Sequence, residues 1–472
     1  MVFSSLFFLC VFLPAFLICF YFSQIKSRKK VILQFSILFY AWGAPMFIIF
    51  LLASSVFDYF ISKYLEPKKI NRKLFLWASL MLNIALLAYF KYANFFFQNI
   101  VTAVESIGFQ KITFSEVLLP IGISFFTFQK ISYTMDVYSG KNKRLTNFWD
   151  YLLYIIMFPQ LIAGPIIRYQ DISNQIINFD DNKFNKKLTG LYRFIIGLSK
   201  KVLIANTFAL IVEQVNAIGI HSMSALDAWT GALAYSFQIY FDFAGYSDMA
   251  IGLGLMIGFR FPENFNFPYL AKSVTEFWQR WHITLGTWMR DYLYLPLGGN
   301  RVSKYRTYFN LIFVFFISGF WHGANWNFIV WGLFHGLFLI IERAWLSSFL
   351  KKMPNIIQVF YTFFIVVVGW VFFSKDLDLA ILFLKKMFSF SGSSLSIQSD
   401  LKIWLIISLG ILFSFMAINT KLLNYFNGFI DMISSEKLRY SIPSFLIISL
   451  LLILSFLSIV SSDFNPFIYY RF

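Results

Sequence analysis

The chain has little charge and almost no cysteine. Only 13% of its 472 residues are charged and 58% are hydrophobic, whereas a soluble domain is roughly one quarter charged. Many apolar stretches reach the ~20 residues that cross a bilayer as a helix. The two cysteines, Cys10 and Cys19, both lie in the first apolar stretch, which excludes a disulfide framework and a cysteine metal site. The composition predicts an integral membrane protein with many spans.

Acidic residues are also scarce, with 23 Asp and Glu against 40 Lys and Arg and a net charge of +17. The basic residues stand in short clusters between apolar segments, which is the pattern of cytoplasmic loops and not of a nucleic-acid surface. The first apolar stretch, residues 3–23, has no positive region before it, and "KSRKK" follows it. We therefore expect an uncleaved span with its N-terminus outside the cell and no nucleic-acid partner.

Breaks in the apolar pattern predict the course of the chain. Gly43 and Pro45 interrupt 31–62, which predicts a tight hairpin, and two prolines and a glycine predict a broken or re-entrant segment within 146–168. Residues 307–341 would form a helix of about 50 Å, too long for one ~30 Å hydrocarbon core, so we expect a break at "HGANWN". We predict an all-α polytopic protein of about 11 spans plus re-entrant or interfacial helices, in one domain over 1–472. Further spans are expected at about 190–213, 226–258, 355–373, 401–419 and 442–461.

Two carboxylates mark the segment "FDFAGYSDMAIGLGLMIGFRFPENFNFPY" (241–269). Asp242 and Asp248 lie in or beside an apolar span, where a charge is costly and is a functional candidate. "GLGLMIG" has the spacing GxGxxxG without a preceding strand, so a dinucleotide loop is not expected. We expect Gly254 and Gly258 to form a GxxxG pair that packs two helices closely.

The segment "SVTEFWQRWHITLGTWMRDYLYLPLGGNR" (273–301) carries several charged residues among its apolar ones. Ser273 and Glu276 have capping-box spacing, which predicts a helix of about 22 residues that ends near Pro296. In such a helix Glu276 pairs with Arg280, and His282 shares a face with the indole four residues earlier. The helix lies either at the membrane interface or along a polar cavity. An interface explains the arginines but gives no reason for an imidazole.

The stretch "SGFWHGANWNFIVWGLFHG" (318–336) contains two histidines, and His322 is a candidate for chemistry. His322 stands where two helical pieces are expected to meet, and an imidazole can accept and return a proton near neutral pH. A structural histidine that donates one hydrogen bond between helices explains the pattern equally well. His335, flanked by Gly332 and Gly336, fits a packed helix face, and His221 follows a loop sequence.

Five blocks together resemble the membrane-bound O-acyltransferase family, and within it the bacterial alginate O-acetylases and related cell-surface polysaccharide and peptidoglycan O-acetyltransferases. They are "SFFTFQKISYTMDVYSG", "FPQLIAGPIIRYQDI", the 241–269 segment, "FWQRWHITLGTWMRDYLYLPLGG" and "GFWHGANWNFIVWGLFHG". The blocks occur in the family's order over about 117–345, with C-terminal spans over 355–472. The resemblance implies helices around a central tunnel, in the bacterial inner membrane.

The resemblance also implies the roles of the site residues. His322 matches the family's catalytic histidine, and His282 matches a second polar position that many members place near it. The implied reaction moves an acetyl group from acetyl-CoA or another thioester to a hydroxyl of an exported polysaccharide. The transfer is direct or passes through an exported transferase of the SGNH-hydrolase type. No bound cofactor and no metal are expected.

Other residues are expected to bind the donor or the acceptor. Arginines could meet the phosphates of a donor or an anionic acceptor, although arginines at a membrane edge usually set topology. The candidate contacts are Arg168, Arg280, Arg290, Asp291, Trp321 and Asn325.

Two hypotheses stay open beside acetyl transfer. One is D-alanyl or lipid acyl transfer within the family, and the other is a transporter or flippase without acyl chemistry.

Overall fold

The computed structural model of the chain describes residues 2–108, 114–180, 184–389, 395–396, 400–415, 442–462, 466 and 468. Over these residues the protein is helical, and its only strand-like pairing is an isolated bridge between Phe265 and Trp281. Contacts between Cα atoms group the chain into two compact units. One contains residues 10–181 and 323–325, and the other contains residues 2–9, 182–322 and 326–472.

The first unit contains most of helix α1 and the next seven helices, and its breaks fall where the sequence predicted them. The hairpin around "WGAP" consists of two helices separated by residues 44–47. The segment 146–168 is broken by Met157 and by the extended stretch that follows a single helical turn. The helices are α1 Phe8–Phe22, α2 Ile25–Gly43, α3 Ile48–Ser62, α4 Arg72–Ser106, α5 Ile123–Tyr138, α6 Phe148–Ile156, α7 Phe158–Leu161 and α8 Tyr169–Ile177.

A buried polar network ties three helices of the first unit together. The ammonium of Lys130 lies 3.8 Å from the carboxylate of Asp58, and both side chains are fully buried. The same carboxylate accepts hydrogen bonds from Ser79 at 2.6 Å and from the amide of Asn83 at 2.9 Å. Since an unpaired charge in an apolar interior is costly, this network fixes how α3, α4 and α5 pack.

The second unit contains the remaining ten α-helices that the structure describes, together with a 3-10 helix at Pro268–Leu270 and a π-helical turn at Arg290–Tyr294. Its longest is a 32-residue helix, about 48 Å, which begins with a capping box formed by Ser224 and Asp227. The helices are α9 Lys186–Ile218, α10 Ala225–Met256, α11 Val274–Arg280, α12 Ile283–Met289, α13 Lys304–His322, α14 Trp326–Leu350, α15 Asn355–Ser374, α16 Leu377–Met387, α17 Leu401–Phe415 and α18 Ile442–Val460.

Glycines set the close contact of α9 with α10, but not the glycines that the sequence suggested. A Cβ on Gly245 would lie 2.7 Å from the carbonyl oxygen of Gly197, so only hydrogen fits there. The expected pair of Gly254 and Gly258 is wrong. Gly258 lies beyond the end of α10 with φ 87°, and Gly254 packs on the ring of Phe261. The helix ends before the second glycine can reach a partner helix.

The predicted 22-residue helix over 273–295 is also wrong, because the structure divides it. Ser273 caps α11 as expected, but α11 ends at Arg280, and α12 begins after His282, which has left-handed backbone angles (φ 44°, ψ 52°). The segment 264–266 forms hydrogen bonds with the backbone groups that the break leaves unpaired. Asn266 N–H donates to the Arg280 carbonyl, and Ile283 N–H donates to the Asn264 carbonyl, each at 3.0 Å.

Several helices are apolar enough to cross a membrane. In the part of the chain that the structure describes, five helices meet both length and composition for a span: α4, α9, α14, α15 and most of α18. The apolar helices α1, α3 and Ile403–Phe415 of α17 are shorter. The protein is therefore a multi-pass membrane protein, whereas the count of about 11 spans, the central tunnel and the single domain stay predictions.

Candidate active site

The site begins with the helical hairpin α13–α14, which breaks where the sequence predicted. Helix α13 ends at His322 and α14 starts at Trp326. Glycines let the two helices touch. A Cβ on Gly319 would lie 2.3 Å from the Phe328 carbonyl oxygen, and one on Gly332 would lie 2.3 Å from the Phe315 carbonyl oxygen. The hairpin therefore holds His322 at the end of a helix whose position is set by backbone contact.

Aromatic rings surround His322, which is only 3% exposed. The Trp331 ring lies 5.0 Å from the imidazole between centroids and is nearly perpendicular to it, and the Phe373 ring lies at 5.2 Å. The preceding Trp321 contacts it at 4.8 Å. This packing excludes water from much of the imidazole and restricts the orientation of its ring.

A different set of contacts holds His282, which is 2% exposed. Its Nδ1 lies 3.0 Å from the side-chain oxygen of Asn264, and the same oxygen accepts a 2.8 Å hydrogen bond from the Thr284 hydroxyl. Phe243 of α10 packs edge-on against the ring at 4.7 Å. His282 lies outside the candidate membrane spans, and burial lowers the pKa of its imidazole, so the ring is neutral near pH 7.

The structure brings the two predicted histidines into one row of aromatic rings. The ring of Trp321 contacts His322 directly and lies 6.4 Å from the ring of His282. Beyond His322 the row continues through Trp331 to His335, whose centroid lies 5.3 Å from that indole. Three of the chain's four histidines are thus joined by two tryptophans. The sequence pointed to His282, Trp321 and His322 but not to Trp331.

His335 occupies a fully buried pocket on α14, which agrees with the predicted packed helix face. Its ring lies 4.9 Å from the Trp278 ring, and Gly369 of α15 leaves room for it, because a Cβ there would approach Nε2 to 2.5 Å. Trp278 therefore packs on His335 and does not share a face with His282, as a continuous helix would have required. His221 lies in the exposed loop after α9, also as predicted.

Among the predicted binding residues, Trp321 contacts His322, and the charged ones form ion pairs. Arg280 pairs with Glu276 at 2.7 Å, as the i,i+4 spacing predicted, and Arg290 pairs with the neighbouring Asp291 at 2.7 Å. The Arg290 side chain is 59% exposed, so it can still reach an anionic ligand. Asn325 lies in the turn between α13 and α14 and is half-buried. Their roles in binding stay predictions.

Arg168 and the α10 carboxylates have structural partners. Arg168 makes a two-pronged ion pair with Asp171 in the first unit, at 2.7 and 2.8 Å. Asp248 pairs with Arg193 and Lys200 of α9, at 2.9 and 2.7 Å. Ion pairing explains why these charges are tolerated in apolar helices without assigning them to the chemistry.

The second carboxylate of α10, Asp242, holds the C-terminal segment. It lies 2.8 Å from the ammonium of Lys201 of α9, and both side chains are 1% exposed. Asp242 also accepts a 2.8 Å hydrogen bond from Ile468 N–H, and Lys201 donates to the Pro466 carbonyl. Residues near the end of the chain thus add hydrogen bonds to a buried ion pair, which local sequence patterns did not reveal.

A further carboxylate, Glu342 of α14, fixes the start of α11. It is 2% exposed and accepts hydrogen bonds from Val274 N–H at 2.6 Å and from Thr275 N–H at 3.0 Å. The Thr275 hydroxyl adds a third at 2.7 Å. A carboxylate at a helix N-terminus is favourable because it meets unpaired N–H groups and the positive end of the helix dipole. Glu342 thereby connects the His322 hairpin to the helix that leads to His282.

The residues available at this site do not form a metal centre. Among the residues that the structure describes, no group of three or more histidine, cysteine, aspartate or glutamate side chains is placed to hold a metal ion. The groups that remain are imidazoles, indoles and amides, which can transfer protons and donate or accept hydrogen bonds.

Comparison with known proteins defines the class of a helical membrane protein with this buried histidine pair. The family model of the membrane-bound O-acyltransferases matches residues 70–375, and the chain belongs to that family. It is therefore an acyltransferase with several membrane helices. The match includes both histidines, the α13–α14 hairpin and the glycine-lined contact of α9 with α10.

Two relatives named for O-acetylation resemble the chain over most of its length, and a D-alanyltransferase resembles it over half. It is 44% identical over 400 residues to the probable alginate O-acetylase AlgI of Azotobacter vinelandii, covering 84% of this chain and 80% of the relative. It is 38% identical over 435 residues to the peptidoglycan O-acetyltransferase of Helicobacter pylori, covering 84% and 81%. The teichoic acid D-alanyltransferase of Streptococcus thermophilus is 31% identical over 250 residues, covering 50% and 59%.

Proposed function

We propose that this protein transfers an acetyl group from a cytoplasmic thioester, such as acetyl-CoA, to a hydroxyl of an exported cell-surface polysaccharide of the alginate or peptidoglycan kind. The observation that carries the proposal is the row of rings that joins His282, Trp321 and His322 in a buried setting. The more extensive similarity to O-acetylating relatives than to the D-alanyltransferase favours acetyl as the acyl group.

In the proposed reaction His322 acts as the general base. Its imidazole removes the proton of the acceptor hydroxyl while the oxygen attacks the thioester carbonyl carbon. The tetrahedral intermediate then breaks its carbon–sulfur bond, and the proton held by His322 passes to the thiolate. The products are the O-acetyl ester and the free thiol. His282 either orients the partners of this proton transfer or donates to the oxyanion.

The cellular setting is part of the proposal. We place the protein in the bacterial inner membrane with its N-terminus outside. The donor is proposed to reach the site from the cytoplasm, and the acceptor from the other side of the membrane. The acetyl group passes directly to the polymer or through an exported partner of the SGNH-hydrolase type. Arg280 and Arg290 remain the proposed contacts for an anionic donor or acceptor, together with Asp291, Trp321 and Asn325.

The test is the replacement of His322 by alanine in cells that depend on this protein for O-acetylation. Loss of a general base should lower O-acetyl content by about 10²-fold or more at unchanged protein level in the membrane. The matched control is His221→Ala, because that imidazole lies in an exposed loop and its removal should leave O-acetylation unchanged. Wild-type O-acetylation in the His322→Ala strain, at normal protein level, would refute the proposal.

A further inference from the structure

We infer that Asn264 is a positioning residue that holds His282 in the neutral tautomer protonated on Nδ1, so that Nε2 serves as a hydrogen-bond acceptor. Asn264 lies in the irregular segment between α10 and α11 and is 1% exposed. The chemical consequence rests on the proposed function, whereas the tautomer itself does not.

The orientation of the Asn264 amide follows from its partners. Its oxygen receives the backbone N–H of Thr284 at 3.4 Å, a group that can only donate, and the Thr284 hydroxyl at 2.8 Å. Its amino group donates to the Ser247 hydroxyl of α10 at 3.0 Å. The atom that faces His282 is therefore the carbonyl oxygen, which can only accept.

An acceptor at this position determines which nitrogen of His282 carries the proton. Nδ1 lies 3.0 Å from the Asn264 oxygen, and a hydrogen bond forms there only when Nδ1 is protonated. Burial disfavours protonation of the second nitrogen. Nε2 is buried and has no hydrogen-bond partner among the residues that the structure describes. The arrangement leaves one buried, unprotonated nitrogen ready for a donor.

Charges on the surrounding elements do not change this assignment, because the structure pairs them elsewhere. The ring of His282 packs edge-on against Phe243, and its centroid lies 6.4 Å from that of Trp321, the indole that also contacts His322 of α13. The ion pairs of the neighbouring segments are Asp242 with Lys201, Asp248 with Lys200 and Arg193, Glu263 with Arg193, Glu276 with Arg280, and Asp291 with Arg290.

A hydrogen-bond acceptor at Nε2 excludes one of the two roles proposed for His282. It cannot donate a hydrogen bond to an oxyanion. It can accept one from the acceptor hydroxyl and so orient the proton transfer. Asn264 acts through His282 and does not itself touch the reacting atoms. The backbone carbonyl of Asn264 also accepts a hydrogen bond from Ile283 N–H, which stabilises the left-handed backbone of His282.

The experiment is ring ¹⁵N NMR of the full-length protein labelled on histidine. The chain has only four histidines, so the resonances of His282 are identified by their loss in His282→Gln. We expect a protonated Nδ1 and an unprotonated Nε2 at neutral pH. A protonated Nε2 with a bare Nδ1, or a doubly protonated ring, would overturn the inference whether or not the protein transfers acetyl groups.

Two substitutions of nearly equal shape extend the test. Asn264→Asp keeps the acceptor and adds a negative charge, so the pH at which Nε2 gains its proton should rise by about one unit or more. Asn264→Leu removes the acceptor and should abolish the preference for Nδ1. The control is Asn266→Asp, an exposed site two residues away, which should leave the His282 resonances unchanged.

The pH profile of activity connects the tautomer to the reaction. With acetyl-CoA as the donor and thiol release as the readout, kcat of Asn264→Asp relative to the wild type should fall at pH values below the NMR midpoint of that variant, because a protonated Nε2 no longer accepts a hydrogen bond. A fall that follows this midpoint supports a positioning role. A kcat ratio that stays constant through the midpoint contradicts that role, and absence of thiol release in the wild type counts against the proposed donor alone.

Discussion

Replacing Gly332 by alanine should disturb the candidate active site without touching any of its side chains. Gly332 lies on α14 where the helix meets α13, and an added Cβ would stand 2.3 Å from the Phe315 carbonyl oxygen and 3.2 Å from the Gly319 Cα. Both atoms belong to backbone, which cannot rotate away as a flexible side chain would. The hairpin must therefore open, and His322 lies one turn beyond Gly319 at the end of α13.

The size of the effect follows from the distance that must be gained. An ordinary van der Waals contact requires the two helices to separate by about 1 Å at this point. Overpacking of this kind costs about 1–3 kcal/mol, although alanine favours a helix by about 1 kcal/mol over glycine. A catalytic group displaced by ~1 Å loses about 10²-fold in rate. We expect stability to fall modestly and activity to fall severely.

The assay compares Gly332→Ala with Gly286→Ala in membranes of equal protein content. At Gly286, in α12, an added Cβ meets only the Trp278 carbonyl oxygen at 3.4 Å, so alanine fits. O-acetyl content of the cells and the thermal unfolding midpoint in detergent are measured for both. If Gly332→Ala matches the control in both readouts, helix contact does not position His322 and the reasoning is refuted.

The double variant Gly319→Ala with Gly332→Ala should lose less stability than the sum of the two single changes, because one opening of the hairpin accommodates both methyl groups.

Two further predictions concern the buried carboxylates. Asp242→Asn leaves the Lys201 ammonium without its buried partner and should destabilise the protein by about 3–5 kcal/mol, whereas Glu263→Gln, which removes a 59% exposed partner of an arginine, should cost less than about 1 kcal/mol in the same thermal unfolding assay. Glu342→Gln should lower kcat more than it raises KM, because it loosens the start of α11 without entering the site. Equal kinetics for Glu342→Gln and the control Glu213→Gln, at an exposed position of α9, would contradict that role.

Single residues with a strong local preference were predicted well from the sequence. The break after His322 was confirmed. It was predictable because an apolar run of 35 positions exceeds the membrane thickness and contains "HGANWN" at its middle. Ser273 as the start of a helix and the pair of Glu276 with Arg280 were also confirmed, and both were predictable because they depend on groups three or four residues apart. The family membership agrees with the resemblance seen in the motifs.

Features that depend on distant segments were not predictable. The helix over 273–295 has no proline or glycine at His282, and only the backbone hydrogen bonds from residues 264–266 explain the break. Gly254 and Gly258 have the spacing of a packing motif, yet the chain turns away before they can serve as one. Asn264 gave no signal, because an asparagine in a loop sequence is ordinary until its partners are known.

The sequence by itself determined the membrane setting, the helical class, the family and the two histidines of interest, because these follow from composition, hydropathy and short motifs. Only the tertiary structure decided how the histidines are held. It joined His282 to His322 through Trp321, placed Asn264 against Nδ1, and used Glu342 to tie α14 to α11. Each of these contacts joins residues that are about 18 to 70 positions apart or lie on separate helices. The conformational preferences of neighbouring residues do not encode such pairs. They form only when helices pack together and their buried polar groups find hydrogen-bond partners in distant segments.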